Sequence, residues 1–223
     1  MSILVEACTG GVEETLNAEI AGANRIELCD NLDVGGLTPP LEVVREIKQK
    51  SKIPIMAMLR PREGDFCYSD EEFQTMVDQA TDLISEGVEG LVFGILHKDN
   101  TIDSDRCMQL IRHISHESFK LPKRVQIVFH KAFDETPDWK TALQDLINMG
   151  FDRVLTSGHG KTVLEGADEL SQIIKIAEDK IEILAGGGVR KENVLEVIKN
   201  TKASQVHLKC FCLKEVVDLC SNY

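Results

Sequence analysis

The chain predicts an α/β fold, a (β/α)8 barrel formed as a single domain over residues 1–223. Three observations carry that expectation. Short apolar runs alternate with amphipathic segments from end to end, which favours a parallel sheet covered by helices. The runs number eight, the count that closes a barrel, and no GxGxxG opens the first helix as in a doubly wound sheet. No Ser/Gly/Pro-rich linker or low-complexity stretch interrupts them, and 223 residues suit one barrel of this class.

Taken in order, the predicted strands are Ile3–Cys8, Arg25–Cys29, Ile53–Arg60, Gly90–Leu96, Arg124–His130, Arg153–Thr156, Ile181–Ala185 and Gln205–Leu208. The predicted helices between them are Val12–Ala21, Leu41–Lys50, Asp70–Glu86, Asp103–Glu117, Asp138–Met149, Leu164–Glu178 and Lys191–Lys199. In Asp70–Glu86 the apolar residues Phe73, Met76, Val77, Ala80, Leu83 and Ile84 recur at three- and four-residue spacing, as one buried helix face requires. Gly22, Gly87 and Gly150 follow helices where a left-handed C-cap is expected.

Twenty-five basic against 37 acidic residues give a net charge of −12. That balance opposes partnership with nucleic acid or an anionic membrane surface, since both are polyanions. It leaves open a small anionic ligand held by a few local arginines. The seven cysteines are odd in number and contain no CxxC pair, so neither a disulfide framework nor zinc-finger spacing is visible. Free thiols favour a reducing, cytoplasmic setting. No signal peptide is apparent, and no apolar run approaches the ~20 residues that span a bilayer.

In a parallel barrel the chemistry gathers at the C-terminal strand ends. Those ends bring Glu6 and Cys8, Glu27 and Cys29, Arg60-Pro61-Arg62 with Asp65, His130 with Asp134, Ser157 with Gly158, the run Gly186-Gly187-Gly188, and His207. Period two places Glu6 with Cys8 on one face, Glu27 with Cys29, Met58 with Arg60, and Val128 with His130, and turns Lys131 outward. Charges inside apolar strands are costly unless paired, so Glu6, Glu27 and Arg60 are expected to neutralise one another, whether or not they also face a ligand. An apolar run ending in glycines lets backbone N–H groups approach an anion; Gly186, Gly187 and Gly188 are candidates, with Ser157, Gly158 and His207 beside them. Arg60 and Arg62 could clamp an anion, and His130, Glu6, Glu27, Asp65 or Asp134 could carry protons. These residues suit an enzyme acting on a small phosphorylated or carboxylated metabolite. Histidine and cysteine in a barrel interior are equally consistent with packing alone.

The blocks RIELCDNLDVGGLTP (25–39), LRPREGDFCYSDEE (59–72), LVFGIL (91–96), FHKAFD (129–134), RVLTSG (153–158) and AGGGV (185–189) together resemble the CutC copper-homeostasis family, from about residue 3 to His207. The resemblance implies a TIM-type barrel, a cytoplasmic location, a homo-oligomer and a role in copper handling. It marks Cys8 and Cys29 as the pair that binds Cu(I), a soft ion that prefers thiolate and thioether donors. Neighbouring strands lie about 4.8 Å apart, close to twice a metal–thiolate bond of about 2.3 Å, so thiols at matching heights could share an ion. The same spacing also admits a disulfide. Met56 and Met58 could add thioethers, and Cys210, Cys212 and Cys220 form a second, C-terminal thiol group. Three departures stand out. Lys131 takes the place of a usual arginine, Glu63 that of a usual glycine, and the segment after His207 is short. That shortened C-terminal unit predicts apolar edges near the first and last strands that a partner subunit would cover.

Overall fold

A computed structural model describes residues 3–119, 121–209 and 212–223. Eight strands form a closed parallel barrel in sequence order, β1 (Leu4–Thr9), β2 (Arg25–Leu28), β3 (Ile55–Met58), β4 (Gly90–Phe93), β5 (Gln126–Phe129), β6 (Arg153–Thr156), β7 (Glu182–Gly186) and β8 (Gln205–Lys209). The ring closes where β8 pairs with β1, Glu6 standing opposite His207. Helices α1 (Val12–Ala21), α2 (Leu41–Lys50), α3 (Asp70–Ser85), α4 (Ser104–Ser118), α5 (Trp139–Met149), α6 (Ala167–Ala177), α7 (Val194–Thr201) and α8 (Leu213–Ser221) follow the strands in turn.

Two apolar layers result from strand alternation. Residues facing out of the barrel, such as Ile26, Leu28, Ile55, Phe93 and Phe129, pack beneath the helices in one continuous core. Each such side chain contributes roughly 1.5–3 kcal/mol when fully buried. The inward set is smaller and includes Cys8, Cys29, Met56, Met58, Val92 and Val128. Below it the barrel floor is polar. Arg25 pairs with Glu6 and donates to Gln205 at 2.6 Å, while Arg153 pairs with Glu182 at 2.6 Å and reaches Gln126 at 3.3 Å. Glu6 is thus neutralised by Arg25 and Glu182 by Arg153, neither of them by Arg60.

Local chemistry sets the helix boundaries. Ser69 begins α3 with a capping box in which its hydroxyl accepts from Glu72 N–H and the Glu72 carboxylate accepts from Ser69 N–H. Gly22 and Gly150 end α1 and α5 in the left-handed conformation, φ 93° and 80°, as glycine allows without strain. Several predicted strands are trimmed. Leu59-Arg60, Gly94–Leu96 and His130 leave the ladder to become the loops of the barrel mouth, and two 3-10 turns, Leu32–Val34 and Lys131–Glu135, lie there without having been anticipated.

The last unit departs further from expectation. Helix α8 is short, yet its buried residues Leu213, Val216, Val217 and Cys220 pack on β1, α1 and α7 and cover the seam the sequence left open. Of the proposed C-terminal thiol group, Cys210 lies outside the described residues, and Cys212 and Cys220 are core side chains. No disulfide joins the described cysteines. Among the described residues no helix is long and apolar enough to cross a membrane.

Candidate metal centre and ligand cavity

The C-terminal mouth of the barrel encloses a cavity of about 450 Å³. Cys8, Glu27, Met58 and His207 form part of its floor, Arg60, Phe66 and His130 line one wall, and Gly187 to Arg190 line another. Lys131 and Lys209 reach its rim.

Two strands bring the thiols together. In the ladder Cys8 stands opposite Glu27, and Cys29 lies just past β2, where its N–H donates to Thr9 at 3.0 Å. The thiols are therefore staggered rather than level. They nevertheless converge, because both point inward next to one carboxylate. The Cys8 and Cys29 sulfurs lie 3.5 and 3.6 Å from the same Glu27 oxygen, and all three atoms lie within 4.8 Å of one another. Gly36 makes room. At φ 90° it turns back over the site, and a Cβ there would sit 2.9 Å from the Cys29 sulfur.

A second cluster shares Glu27. His207 Nδ1 lies 2.8 Å from Glu6 and Nε2 lies 3.8 Å from Glu27. Glu6, Glu27 and His207 likewise place one ligand atom each within 4.8 Å. Burial alone would raise Glu6, but the Arg25 guanidinium and then His207 outweigh it and hold the carboxyl at about 2. Burial also works against charge on His207, yet Glu27, Cys8 and Glu6 overcome it and raise the imidazole well above its usual value. For Glu27 burial prevails, reinforced by the nearby Cys8 and Glu6 charges, and the carboxyl rises to about 8 despite His207. The Cys8 thiol moves down to about 5 because Cys29 hydrogen-bonds to its anion, with His207 assisting against burial. Cys29, donating to Cys8 and buried, moves up.

Not every residue singled out from sequence reaches this centre. Arg62 donates to Glu72 at 2.5 Å and to Asp65 at 2.9 Å, so both Arg62 and Asp65 are tied into the loop before α3, away from the cavity wall. Ser157 and Gly158 form an anion nest, but the protein fills it itself. The Asp134 carboxylate accepts from Ser157 N–H at 3.0 Å, His159 N–H at 3.2 Å, the Thr156 hydroxyl and Lys131 at 2.6 Å. Gly158 N–H donates to Thr156 Oγ1 at 2.9 Å. Lys131 faces the mouth instead of turning outward, because the chain has left the strand by Lys131–Glu135 and strand parity no longer applies. Gly186 serves packing, since a Cβ there would meet Leu155 at 2.6 Å and His207 at 3.2 Å. Gly187 and Gly188, at φ 107° and 78°, do line the cavity.

Sequence reasoning missed Arg25 and Arg153. Arg25 stands two residues before Glu27 and Arg153 four before Ser157, so the same parity would have placed both in the barrel.

Comparison with known proteins agrees with this architecture and extends it. Residues 3–211 match the model of the CutC family. A CutC family protein of Treponema denticola is 44% identical over 214 residues, covering 96% of this chain and 84% of the relative. The human copper homeostasis protein cutC homolog is 39% identical over 204 residues, covering 92% and 72%. The crystal structure of a CutC from Streptococcus agalactiae superposes with TM-score 0.84 at 33% identity, covering 92% of this chain and 97% of that one. A phosphoribosylanthranilate isomerase from Pyrococcus furiosus, at 19% identity and TM-score 0.62, shares the barrel fold alone. With a match along nearly its whole length, the chain belongs to the CutC family.

Proposed function

We propose that this protein works in copper homeostasis by taking Cu(I) as cargo between Cys8 and Cys29 at the base of the barrel mouth. The observation that supports this reading most directly is the convergence of two buried sulfurs on Glu27, all within 4.8 Å, at the base of a cavity whose lining includes Cys8. Two sulfur donors suit a soft monovalent ion better than a hard divalent one. Glu27, raised to about 8, is largely protonated at neutral pH and does not compete as a hard anionic ligand. Met58, in the same inward cluster, offers a thioether nearby. The rival reading, an enzyme acting on a small anionic metabolite, loses the clamp it needed: Arg62 and Asp65 pair with each other, and the Ser157 amide is taken by Asp134. The six described cysteines form no disulfide, which suits a reducing cytoplasm, and a homo-oligomer is the assembly the family resemblance implies.

The test is anaerobic competition against a Cu(I) chelator. Wild-type protein is expected to withdraw Cu(I), and the Cys8→Ala/Cys29→Ala double variant to leave it with the chelator. A double variant that competes as well as wild type overturns the assignment of this pair.

A further inference from the structure

The wall of the cavity that leads to the thiols carries the wrong sign for a bare cation. Arg60 is 5% exposed, and among the described residues no carboxylate pairs with it. Its Nη atoms donate to the carbonyls of Val34 at 3.0 Å, Gly36 at 3.3 Å and Gly64 at 2.7 Å, while Nε has no partner. His130, 4% exposed, also lines the cavity and has Nε2 buried without a partner. Its Nδ1 accepts from Ala132 N–H at 3.2 Å, so the neutral ring carries its proton on Nε2 as a hydrogen-bond donor. Lys131, Arg190 and Lys209 add positive charge at the rim. Against them the lining holds Glu27 and Glu135, and Asp134 offsets Lys131. In a chain of net charge −12, this concentration of basic groups at one opening marks an anion site.

We infer that copper arrives here as an anionic complex with a small carboxylate-bearing thiol, whose carboxylates the cationic wall holds while the ion passes to Cys8 and Cys29. The inference rests on the copper reading above and deepens it. A lone ion would be repelled by Arg60 and the rim lysines, whereas a complex of net negative charge is drawn in. The size of the opening agrees. A single water occupies about 30 Å³ of liquid, so a cavity of about 450 Å³ has room for an organic carrier. During transfer the Cu–S bonds to two carrier thiolates break, one for each Cu–S bond formed to Cys8 and Cys29. Protons released from the Cys8, Cys29 and Glu27 cluster go to the departing carrier thiolates, and copper remains Cu(I) throughout.

The experiment compares two Cu(I) complexes under anaerobic conditions, one with glutathione, whose carboxylates make its bis-thiolate complex more negative, the other with 2-mercaptoethanol, which brings no carboxylate. Stopped-flow absorption follows copper–thiolate formation on the full chain. Transfer from the glutathione complex is expected to be roughly tenfold faster at low ionic strength, an advantage that shrinks as salt is added. In Arg190→Gln/Lys209→Gln, whose altered positions are exposed and leave the core intact, the advantage should fall to about twofold or less. A second arm dispenses with copper: S-methylglutathione, which has no thiol, is titrated calorimetrically into wild-type protein and this variant. It is expected to bind wild type and to bind the variant several-fold more weakly. Equal transfer rates from the two complexes, or no binding of S-methylglutathione by wild type, overturns the inference. Failure to take Cu(I) from either complex, with S-methylglutathione still bound, overturns the copper reading instead and upholds the cavity as a site for this class of anion.

Discussion

The proton inventory of the barrel floor is governed by single residues. Glu6 is 2% exposed and held at about 2 by Arg25 and His207, against an ordinary value of 4.5. A carboxyl depressed on folding gives stability that is fully present above its unfolded value and lost as pH falls through the folded one. Between pH 4.5 and about 2 the wild type should therefore lose about 3 kcal/mol from this group, and Glu6→Gln should flatten that part of the curve while being less stable at pH 7. Urea unfolding across that range measures both effects. Gly36 is a second single-residue control. Alanine there would adopt φ 90° and press its Cβ to 2.9 Å from the Cys29 sulfur. Gly36→Ala is expected to cost about 2 kcal/mol of stability and to weaken Cu(I) competition, because Cys29 must move. Competition equal to wild type would show that Cys29 does not need its present position.

Individual elements decide which groups are available. The turn Lys131–Glu135 after β5 delivers Asp134 into the nest of β6, satisfying donors that a ligand would otherwise need to meet. Asp134→Ala leaves those donors and Lys131 without their acceptor and is expected to cost about 3 kcal/mol, read from thermal unfolding. Helix α8 acts through packing alone. Val216 is fully buried where α8 meets β1, so Val216→Ala should cost about 2 kcal/mol with no change in Cu(I) competition. Such elements also mark the limit of pattern reading. Strand parity put Glu6 with Cys8 and Glu27 with Cys29 on one face, and that face lines the barrel interior. It misplaced Lys131, because a single 3-10 turn resets the direction of every side chain after it.

For the whole molecule, barrel closure makes one site out of distant segments. His207 and Glu6 are 201 residues apart in sequence and meet across the β8–β1 seam. The apolar gap expected at that seam is filled by α8. Ile20 and Phe119, 82% and 86% exposed, are apolar residues left outside the fold. The homo-oligomer implied by the family resemblance is checked by sedimentation equilibrium, where a concentration-independent monomer mass would rule it out.

By itself the sequence determined the barrel, the order of its eight strands and the family, because alternating apolar periods and strand count are local properties of the chain. It also determined which residues face inward, since a strand's period of two fixes side-chain direction for as long as the strand lasts. Only the tertiary structure decided which inward charges pair, that Asp134 fills the Ser157 nest, and that Arg60 has no carboxylate partner among the described residues. Those outcomes depend on distances between strands and loops far apart in the chain, and the packing of the closed barrel sets them.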